Sequence, residues 1–197
     1  MNPDRITAII LCGGEGRRFA GADKPLLEPE RLNGLSMIQR ISEVVTPRVS
    51  NVLISANRHL DEYRAFGAVF KDNLEGFQGP LAGLRACLAH CETPWTFVLP
   101  GDTPYIESVL LDRLSSKATA EETADTDVFC AHDGLQRQCL HLFMRTTLRS
   151  GLSEYLSDGG RSVYRWLDGC RVEDVDCRDL AAMLKDIDEP SQLHAKR

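Results

Sequence analysis

The chain has 197 residues, of which 43% are hydrophobic and 26% charged, and its formal net charge is −6 at pH 7. These values are typical of a soluble globular protein, so we predict one domain with a sizeable core over residues 1–197. The acidic balance argues against broad nucleic-acid binding, which calls for a basic surface. No apolar run reaches transmembrane length, and the first residues lack a secretory signal pattern. We therefore expect a cytoplasmic protein that binds neither nucleic acid nor membranes.

Strand and helix patterns alternate along the chain. Short apolar or alternating runs predict strands at residues 6–11, 51–55, 69–70, 95–99, 127–131, 138–143 and 170–175. Apolar residues at helical spacing predict helices at residues 36–45, 79–91, 108–114, 148–156 and 162–167. This alternation is typical of a mostly parallel, twisted sheet that helices cover on both faces, so the predicted fold class is α/β.

Ligands in such folds bind beyond the carboxyl ends of the strands. Four segments with polar or flexible residues directly follow predicted strands: the loop at Gly13, the turn at 55–58, Asp72 and Asp102. We expect all four to lie on one rim of the sheet.

A glycine-rich loop with basic side chains follows the first strand. Gly13, Gly14 and Gly16 let backbone N–H groups approach an anion closely, and nearby guanidinium and ammonium groups add formal charge. The basic side chains are Arg17, Arg18 and Lys24. The spacing fits neither the P-loop nor the G-x-G-x-x-G dinucleotide pattern. An ordinary glycine-rich turn is the alternative, but the added charges favour a polyphosphate ligand.

Asp102 follows the buried run at 95–99. An aspartate in this position can hold a divalent cation against phosphate oxygens, as nucleotidyl transfer requires. A turn aspartate that satisfies its own backbone beside Pro104 explains the same residue. The residues alone leave both interpretations open.

The loop from Leu11 to Arg18, with Gly21, Asp23 and Lys24 after it, resembles the signature loop of the molybdenum cofactor guanylyltransferases, a branch of the nucleotidylyltransferases. The run Gly79-Pro80-Leu81-Ala82-Gly83 is similar to their G-P-L-A-G motif, in which relatives that use cytidylyl groups generally differ. Asp102 resembles the aspartate of their C-x-D-x-P metal motif, with Pro100 at the cysteine position. The resemblance runs from about residue 6 to 193.

The resemblance implies a single Rossmann-like nucleotidyltransferase domain that transfers GMP from Mg-GTP to the terminal phosphate of molybdenum-molybdopterin. It implies catalytic roles for Arg17, Lys24 and Asp102, with Mg²⁺ at Asp102. The implied nucleotide contacts are Leu11, Cys12, Gly13, Gly14, Gly16, Arg18, Lys24, Ser55, Asp72, Gly79, Pro80, Leu81 and Asp102. The nucleotide belongs to the N-terminal half and the acceptor to the C-terminal half. Transient contacts with other molybdenum cofactor biosynthesis proteins and with molybdoenzyme chaperones are also implied.

Three further positions that bear on the ligands depart from the family pattern. Ser55 replaces an asparagine and has a shorter reach, while Asp186 and Asp188 replace the asparagines of a C-terminal N-x-N-T-P element. Two carboxylates there are unfavourable beside an anionic acceptor unless a cation lies near. A cytidylyltransferase for the same cofactor, a sugar-phosphate nucleotidylyltransferase and a non-catalytic GTP-binding assembly protein stay open as alternatives.

Overall fold

The structure is a computed structural model that describes residues 1–13, 19, 21–72, 79–118 and 125–194. The strands in these ranges are β1 Ile6–Leu11, β2 Asn51–Ser55, β3 Ala68–Phe70, β4 Trp95–Pro100, β5 Val128–His132, β6 Arg137–Arg145 and β7 Val172–Asp176. The α-helices are α1 Met37–Val45, α2 Leu60–Tyr63, α3 Pro80–Leu88, α4 Ser108–Lys117, α5 Arg149–Ser157, α6 Val163–Asp168 and α7 Pro190–Leu193. The 3-10 turns are Pro3–Arg5, Lys24–Leu26, Glu30–Leu32, Thr46–Arg48, Thr146–Leu148 and Arg178–Leu184. Among the helices described, none combines the length and the apolar character needed to cross a bilayer.

The strands of the described ranges form one sheet in the order β3-β2-β1-β4-β6-β5-β7. Only β6 runs against its neighbours β4 and β5, and every other described pairing is parallel. The predicted α/β fold with a mostly parallel sheet is therefore confirmed. In the parallel register Leu11 lies opposite both Ser55 and Pro100, so the ends of β2, β1 and β4 meet at one rim.

Helices cover both faces of the sheet, as the alternating sequence pattern predicts. On one face, α1 and α4 bury apolar side chains against alternate residues of the central strands, such as Ile10 and Phe97. On the other face, α3, α5 and α6 pack against the intervening residues, such as Ile9 and Val98. Because both faces are covered, β1 and β4 are buried along their whole length, and each carries a single polar residue, Thr7 and Thr96, among apolar ones.

The helix ends follow from local chemistry. α1 begins after Ser36, whose Oγ accepts a hydrogen bond from the backbone N–H of Gln39 at 3.3 Å. α3 is shorter than the predicted range 79–91, because the N–H groups of His90 and Cys91 bond to carbonyls only three residues back and so tighten the last turn.

Candidate functional site

Backbone hydrogen bonds join the strand ends that carry the candidate residues. The N–H of Cys12 donates to the carbonyl of Ser55 at 2.8 Å, and the N–H of Gly101 donates to the carbonyl of Leu11 at 2.9 Å. The segment after β1 is thereby fixed between the segments after β2 and β4. This arrangement places Cys12, Ser55 and Asp102 at the rim where the sequence predicts them.

Lys24 is the central cation of the described rim. It begins the 3-10 turn Lys24–Leu26, and its ammonium group donates to Asp102 Oδ2 at 2.8 Å and to Asp188 Oδ1 at 2.9 Å. Burial of the side chain, which is only 16% exposed, disfavours the charged form of the lysine. The hydrogen bonds and negative charges of Asp102 and Asp188 outweigh this effect and raise the pKa of Lys24, so the lysine is charged at neutral pH.

Three carboxylates converge beside this lysine. Asp102, Asp186 and Asp188 each place an oxygen within 4.8 Å of the others. The C-terminal segment that supplies two of them is held by a hydrogen bond from the N–H of Ile187 to the backbone carbonyl of Asp102 at 3.0 Å. Partial burial and the charges of Asp188 and Asp102 raise the pKa of Asp186. A group of like charges so close together favours the binding of a cation.

Magnesium is chemically compatible with this cluster. Mg²⁺ is bound through carboxylate oxygens together with water and substrate phosphates, and Asp102, Asp186 and Asp188 supply such oxygens at one point of the rim. Lys24 already places one positive charge between Asp102 and Asp188, which is where a cation is electrostatically favoured. The donor set therefore fits the ion that the Asp102 motif implies.

Asp72 lies on the same rim, two residues beyond β3. Its carboxylate accepts a hydrogen bond from the side-chain Nδ2 of Asn57 at 2.7 Å, and its backbone N–H donates to the side-chain Oδ1 of Asn57 at 3.1 Å. These two hydrogen bonds orient the Asp72 side chain. They use its Oδ2 atom and its backbone N–H, so the Oδ1 atom takes part in neither of them. Asn57 is a supporting residue whose role is visible only in the structure.

The run of residues 79–83 at the start of α3 begins at an open position and continues into the packed core. Gly79 has φ +79°, a conformation that favours glycine, and an added Cβ would have no neighbour within 4 Å among the residues that the structure describes. Leu81 is fully buried in the apolar core, so only its backbone could contact a nucleotide. An added Cβ on Gly83 would overlap with Ser55 Oγ. The close approach that Gly83 permits is therefore that of Ser55, and the Ser55 side chain points at α3.

A buried polar group lies behind the loop. Tyr63 is completely buried next to Asp23 and Cys12, and within the described residues its hydroxyl makes no hydrogen bond of good geometry. Burial raises the pKa of Asp23 and strongly raises that of the Cys12 thiol. The Cys12 side chain is therefore protonated and unreactive near neutral pH, and only its backbone is available to a nucleotide.

A cleft of about 660 Å³ opens beside Asp102, between the end of β4, the hairpin of β5 and β6, and the 3-10 turn Arg178–Leu184. Its lining includes Asp102, Asp186, Lys185 and Gln138 together with the apolar side chains Leu135 and Leu140. All of the lining residues except Pro100, Asp102 and Thr103 come from positions after residue 130.

Buried His141 supports the floor of this cleft. Its Nε2 lies 3.2 Å from the hydroxyl oxygen of Thr103, and that hydroxyl donates to the carbonyl of Pro100 at 3.2 Å. Burial lowers the pKa of His141 to about 4, so the imidazole is neutral at pH 7. These two contacts of Thr103 stabilise the turn that carries Asp102.

The structure brings together four of the predicted site residues, Cys12, Lys24, Ser55 and Asp102. Gly14, Gly16, Arg17 and Arg18 lie outside the described residues. The sequence interpretation missed the cation beside Asp186 and Asp188. The match of these aspartates to the family's C-terminal element showed that the segment belongs to the site. The sequence around them did not show that Lys24 lies next to that segment.

Comparisons with known proteins agree with the geometry. A family model described as the MobA-like NTP transferase domain matches residues 8–173. The molybdenum cofactor guanylyltransferase of Vibrio campbellii is 34% identical over 193 residues, covering 98% of this chain and 95% of that protein. The protein of the same name from Cupriavidus necator is 38% identical over 183 residues, covering 91% of this chain and 90% of its own length.

Solved structures share the fold. The molybdopterin-guanine dinucleotide biosynthesis protein A of Archaeoglobus fulgidus superposes with a TM-score of 0.75 at 19% identity, covering 95% of this chain and 94% of that chain. A nucleotidyl transferase from Methanothermobacter superposes with a TM-score of 0.73 at 20% identity, covering 95% and 93%. At such identities the likeness concerns the fold alone.

Proposed function

Since the chain belongs to the family of MobA-like NTP transferase domains, we propose that it transfers GMP from GTP to the terminal phosphate of molybdenum-molybdopterin. The products are the guanine dinucleotide form of the cofactor and pyrophosphate. The observation that carries this proposal is the contact of Lys24 with Asp102 at the carboxyl ends of β1 and β4, beside a cleft large enough for an acceptor.

The proposed roles follow from position and charge. Lys24, Arg17, Arg18 and the backbone around Gly13–Gly16 hold the triphosphate. Lys24 also neutralises the charge that develops on the leaving pyrophosphate. The acceptor phosphate, which is already ionised, attacks the α-phosphorus in line and needs no dedicated base. The remaining nucleotide contacts are those that the family resemblance implies, with backbone contacts only from Cys12 and Leu81.

Asp102 is the proposed magnesium ligand, and Asp186 and Asp188 supply further oxygens within 4.8 Å. When bound, the ion neutralises negative charge on the phosphate oxygens. The two aspartates of the C-terminal segment are no obstacle to an anionic acceptor under this proposal, because Lys24 and the ion both offset their charge.

The N-terminal half binds the nucleotide and the C-terminal half binds the acceptor under this proposal. Supporting it, the rim segments after β1, β2 and β3 all precede residue 80, while the cleft is lined mostly by residues after 130. Lys185 at the cleft can attract an anionic acceptor, and the amides of Gln136 and Gln138 can form hydrogen bonds with a polar ring. Transient contacts with other cofactor biosynthesis proteins and molybdoenzyme chaperones, and a cytoplasmic location, belong to the same proposal.

The test is pyrophosphate release from each of the four nucleoside triphosphates, with and without the molybdenum-loaded acceptor. We expect kcat/KM with GTP to exceed that with CTP by at least about a hundredfold, because a site built for one base leaves its polar groups unpaired with another. Equal yields from GTP and CTP would move the protein to the cytidylyl alternative. Tight GTP binding without release from any nucleotide would support the assembly-protein alternative.

A second prediction concerns Asp188, where the family has asparagine. In Asp188→Asn an oxygen ligand is kept but one negative charge is lost, so we expect the Mg²⁺ concentration for half-maximal rate to rise by about three- to tenfold. The kcat at saturating Mg²⁺ should change by less than about fivefold, since Asp102 and Lys24 are retained. Magnesium titration of the initial rate measures both quantities.

The matched control is Asp176→Asn, which removes an exposed carboxylate that pairs with Arg178. If Asp188→Asn and this control have the same magnesium dependence as the unaltered protein, Asp188 has no part in the metal site.

A further inference from the structure

Gly101, the residue before Asp102, lies in a space with no room for a side chain. An added Cβ would lie 2.8 Å from Cys12 Sγ, 3.1 Å from the carbonyl oxygen of Leu11 and 3.1 Å from Pro25 Cγ. Its φ is not among the positive values found for glycines of the described ranges, so the backbone conformation itself does not call for glycine. Glycine is required at this position because of the surrounding atoms.

The three surrounding atoms belong to the segments that build the site. Leu11 ends β1, Cys12 directly follows it, and Pro25 follows Lys24 in the 3-10 turn. The N–H of Gly101 donates to the Leu11 carbonyl at 2.9 Å, which holds the segments together. Any side chain at position 101 therefore pushes against the end of β1 and the turn of Lys24 at the same time.

Cys12 cannot easily move out of the way. Its side chain is 2% exposed and is packed in the apolar core with Ala56 and Tyr63. Protein interiors are close-packed, so another rotamer of the thiol meets other core atoms. The sulfur of Cys12 thus fills the volume that a side chain at Gly101 would need.

We propose that Cys12 and Gly101 form a matched steric pair that positions Asp102 against Lys24. Lys24 precedes Pro25 and Asp102 follows Gly101, so the packing of Cys12, Gly101 and Pro25 sets the 2.8 Å contact between the ammonium and carboxylate groups. Both members are positioning residues, and the catalytic consequence rests on the proposed nucleotidyl transfer.

The first variant is Gly101→Ala. We expect kcat for pyrophosphate release to fall by about ten- to a hundredfold, because small displacements of catalytic groups have effects of this size. Overpacking should also lower the unfolding midpoint by about 3 to 8 °C. The rate is measured at a temperature at which circular dichroism shows the variant to be fully folded, so that lost stability cannot account for the lost rate.

The second step is rescue. In a Cys12→Ala background the sulfur is gone, and the nearest neighbours that remain for the new methyl group are the two atoms at 3.1 Å. We expect the double variant to lose no more than about twofold in kcat, and about 2 °C in midpoint, relative to Cys12→Ala itself. Gly151→Ala in α5 is the matched control, because an added Cβ there has no neighbour within 4 Å in the described part of the chain beyond the helix's own backbone.

Two readouts do not depend on the reaction. The unfolding midpoints of the unaltered protein, the two single variants and the double variant form a double-mutant cycle. Mn²⁺ titration of the free protein by water-proton relaxation reports on the carboxylates around Asp102. We expect Gly101→Ala to weaken Mn²⁺ binding by about threefold or more, with recovery in the double variant.

Equal midpoint losses from Gly101→Ala with and without the Cys12→Ala substitution would show that the two residues are not a pair and would overturn the proposal. It would also be overturned if the midpoints couple while kcat and Mn²⁺ binding of Gly101→Ala stay at wild-type values. If the unaltered protein releases pyrophosphate from no nucleotide, the proposed function fails, and the steric pair is decided by the midpoints and the Mn²⁺ titration.

Discussion

Asp102→Asn is expected to lower product formation by at least about two orders of magnitude, as is typical when a charge-neutralising group is lost from a phosphoryl-transfer site. The variant keeps the shape of the side chain but removes one of three carboxylates whose oxygens lie within 4.8 Å of one another. It also replaces the partner that Lys24 holds at 2.8 Å by a neutral one. Product is quantified by chromatography at saturating GTP and acceptor over a range of Mg²⁺ concentrations.

The fold should tolerate this change. Asp102 is on the rim, and the bond that ties Ile187 to it uses the backbone carbonyl, which asparagine retains. Asp112→Asn is the matched control, since Asp112 is an exposed carboxylate that pairs with Arg48 away from the rim. We expect this control to keep its activity, because exposed ion pairs contribute little. Near wild-type turnover of Asp102→Asn at saturating Mg²⁺ would remove Asp102 from the mechanism.

The regular elements of the fold were largely predictable from periodicity. The boundaries of β1 and β2 match the predicted ranges, α1 begins one residue later than predicted, and α5 begins and ends one residue later. Short elements such as α2 and α7, with four residues each, escaped because one helical turn is too short to show a repeat. The order of the strands beyond β4 could not be predicted from the sequence either, since strand pairing depends on packing across the whole sheet.

The site was predictable only in part, because its residues are distant in sequence. The rule that ligands bind beyond the carboxyl ends of the strands was sufficient to predict that Cys12, Ser55 and Asp102 lie on one rim of the sheet. It could not show that Lys24 bonds to Asp188, which is 164 residues away. For the same reason the carboxylates of the C-terminal segment looked unfavourable in the sequence, whereas the structure places a cation against them.

Steric requirements were equally hidden. Gly83 belongs to the run that resembles the family's G-P-L-A-G motif, and the structure places the Ser55 hydroxyl in the space that its missing side chain leaves. Its glycine is needed for the packing of α3 on β2. The sequence shows that residue 83 is a glycine and has no side chain. Only the structure shows which atoms occupy the space that a side chain would fill.

Lys24→Ala separates catalysis from nucleotide binding. We expect kcat to fall by roughly a hundredfold or more, while the dissociation constant for GTP rises by about tenfold or less. Several groups share the ground-state binding of the triphosphate, so the loss of one weakens it modestly. The leaving pyrophosphate gains charge in the transition state, and a lysine on a flexible stem can follow its oxygens as the bond breaks.

The structure makes this prediction sharper. The pKa of Lys24 is raised by Asp102 and Asp188, so the ammonium form persists throughout the working pH range and a rate loss reports a lost charge. Lys117→Ala is the matched control, because Lys117 pairs with Glu173 at the end of α4, away from the rim. Rates come from product chromatography, and binding from equilibrium titration with a non-hydrolysable GTP analogue on the same preparation. If binding collapses while the saturated rate survives, Lys24 is a ground-state anchor; if neither changes, its contacts with the two aspartates serve the structure alone.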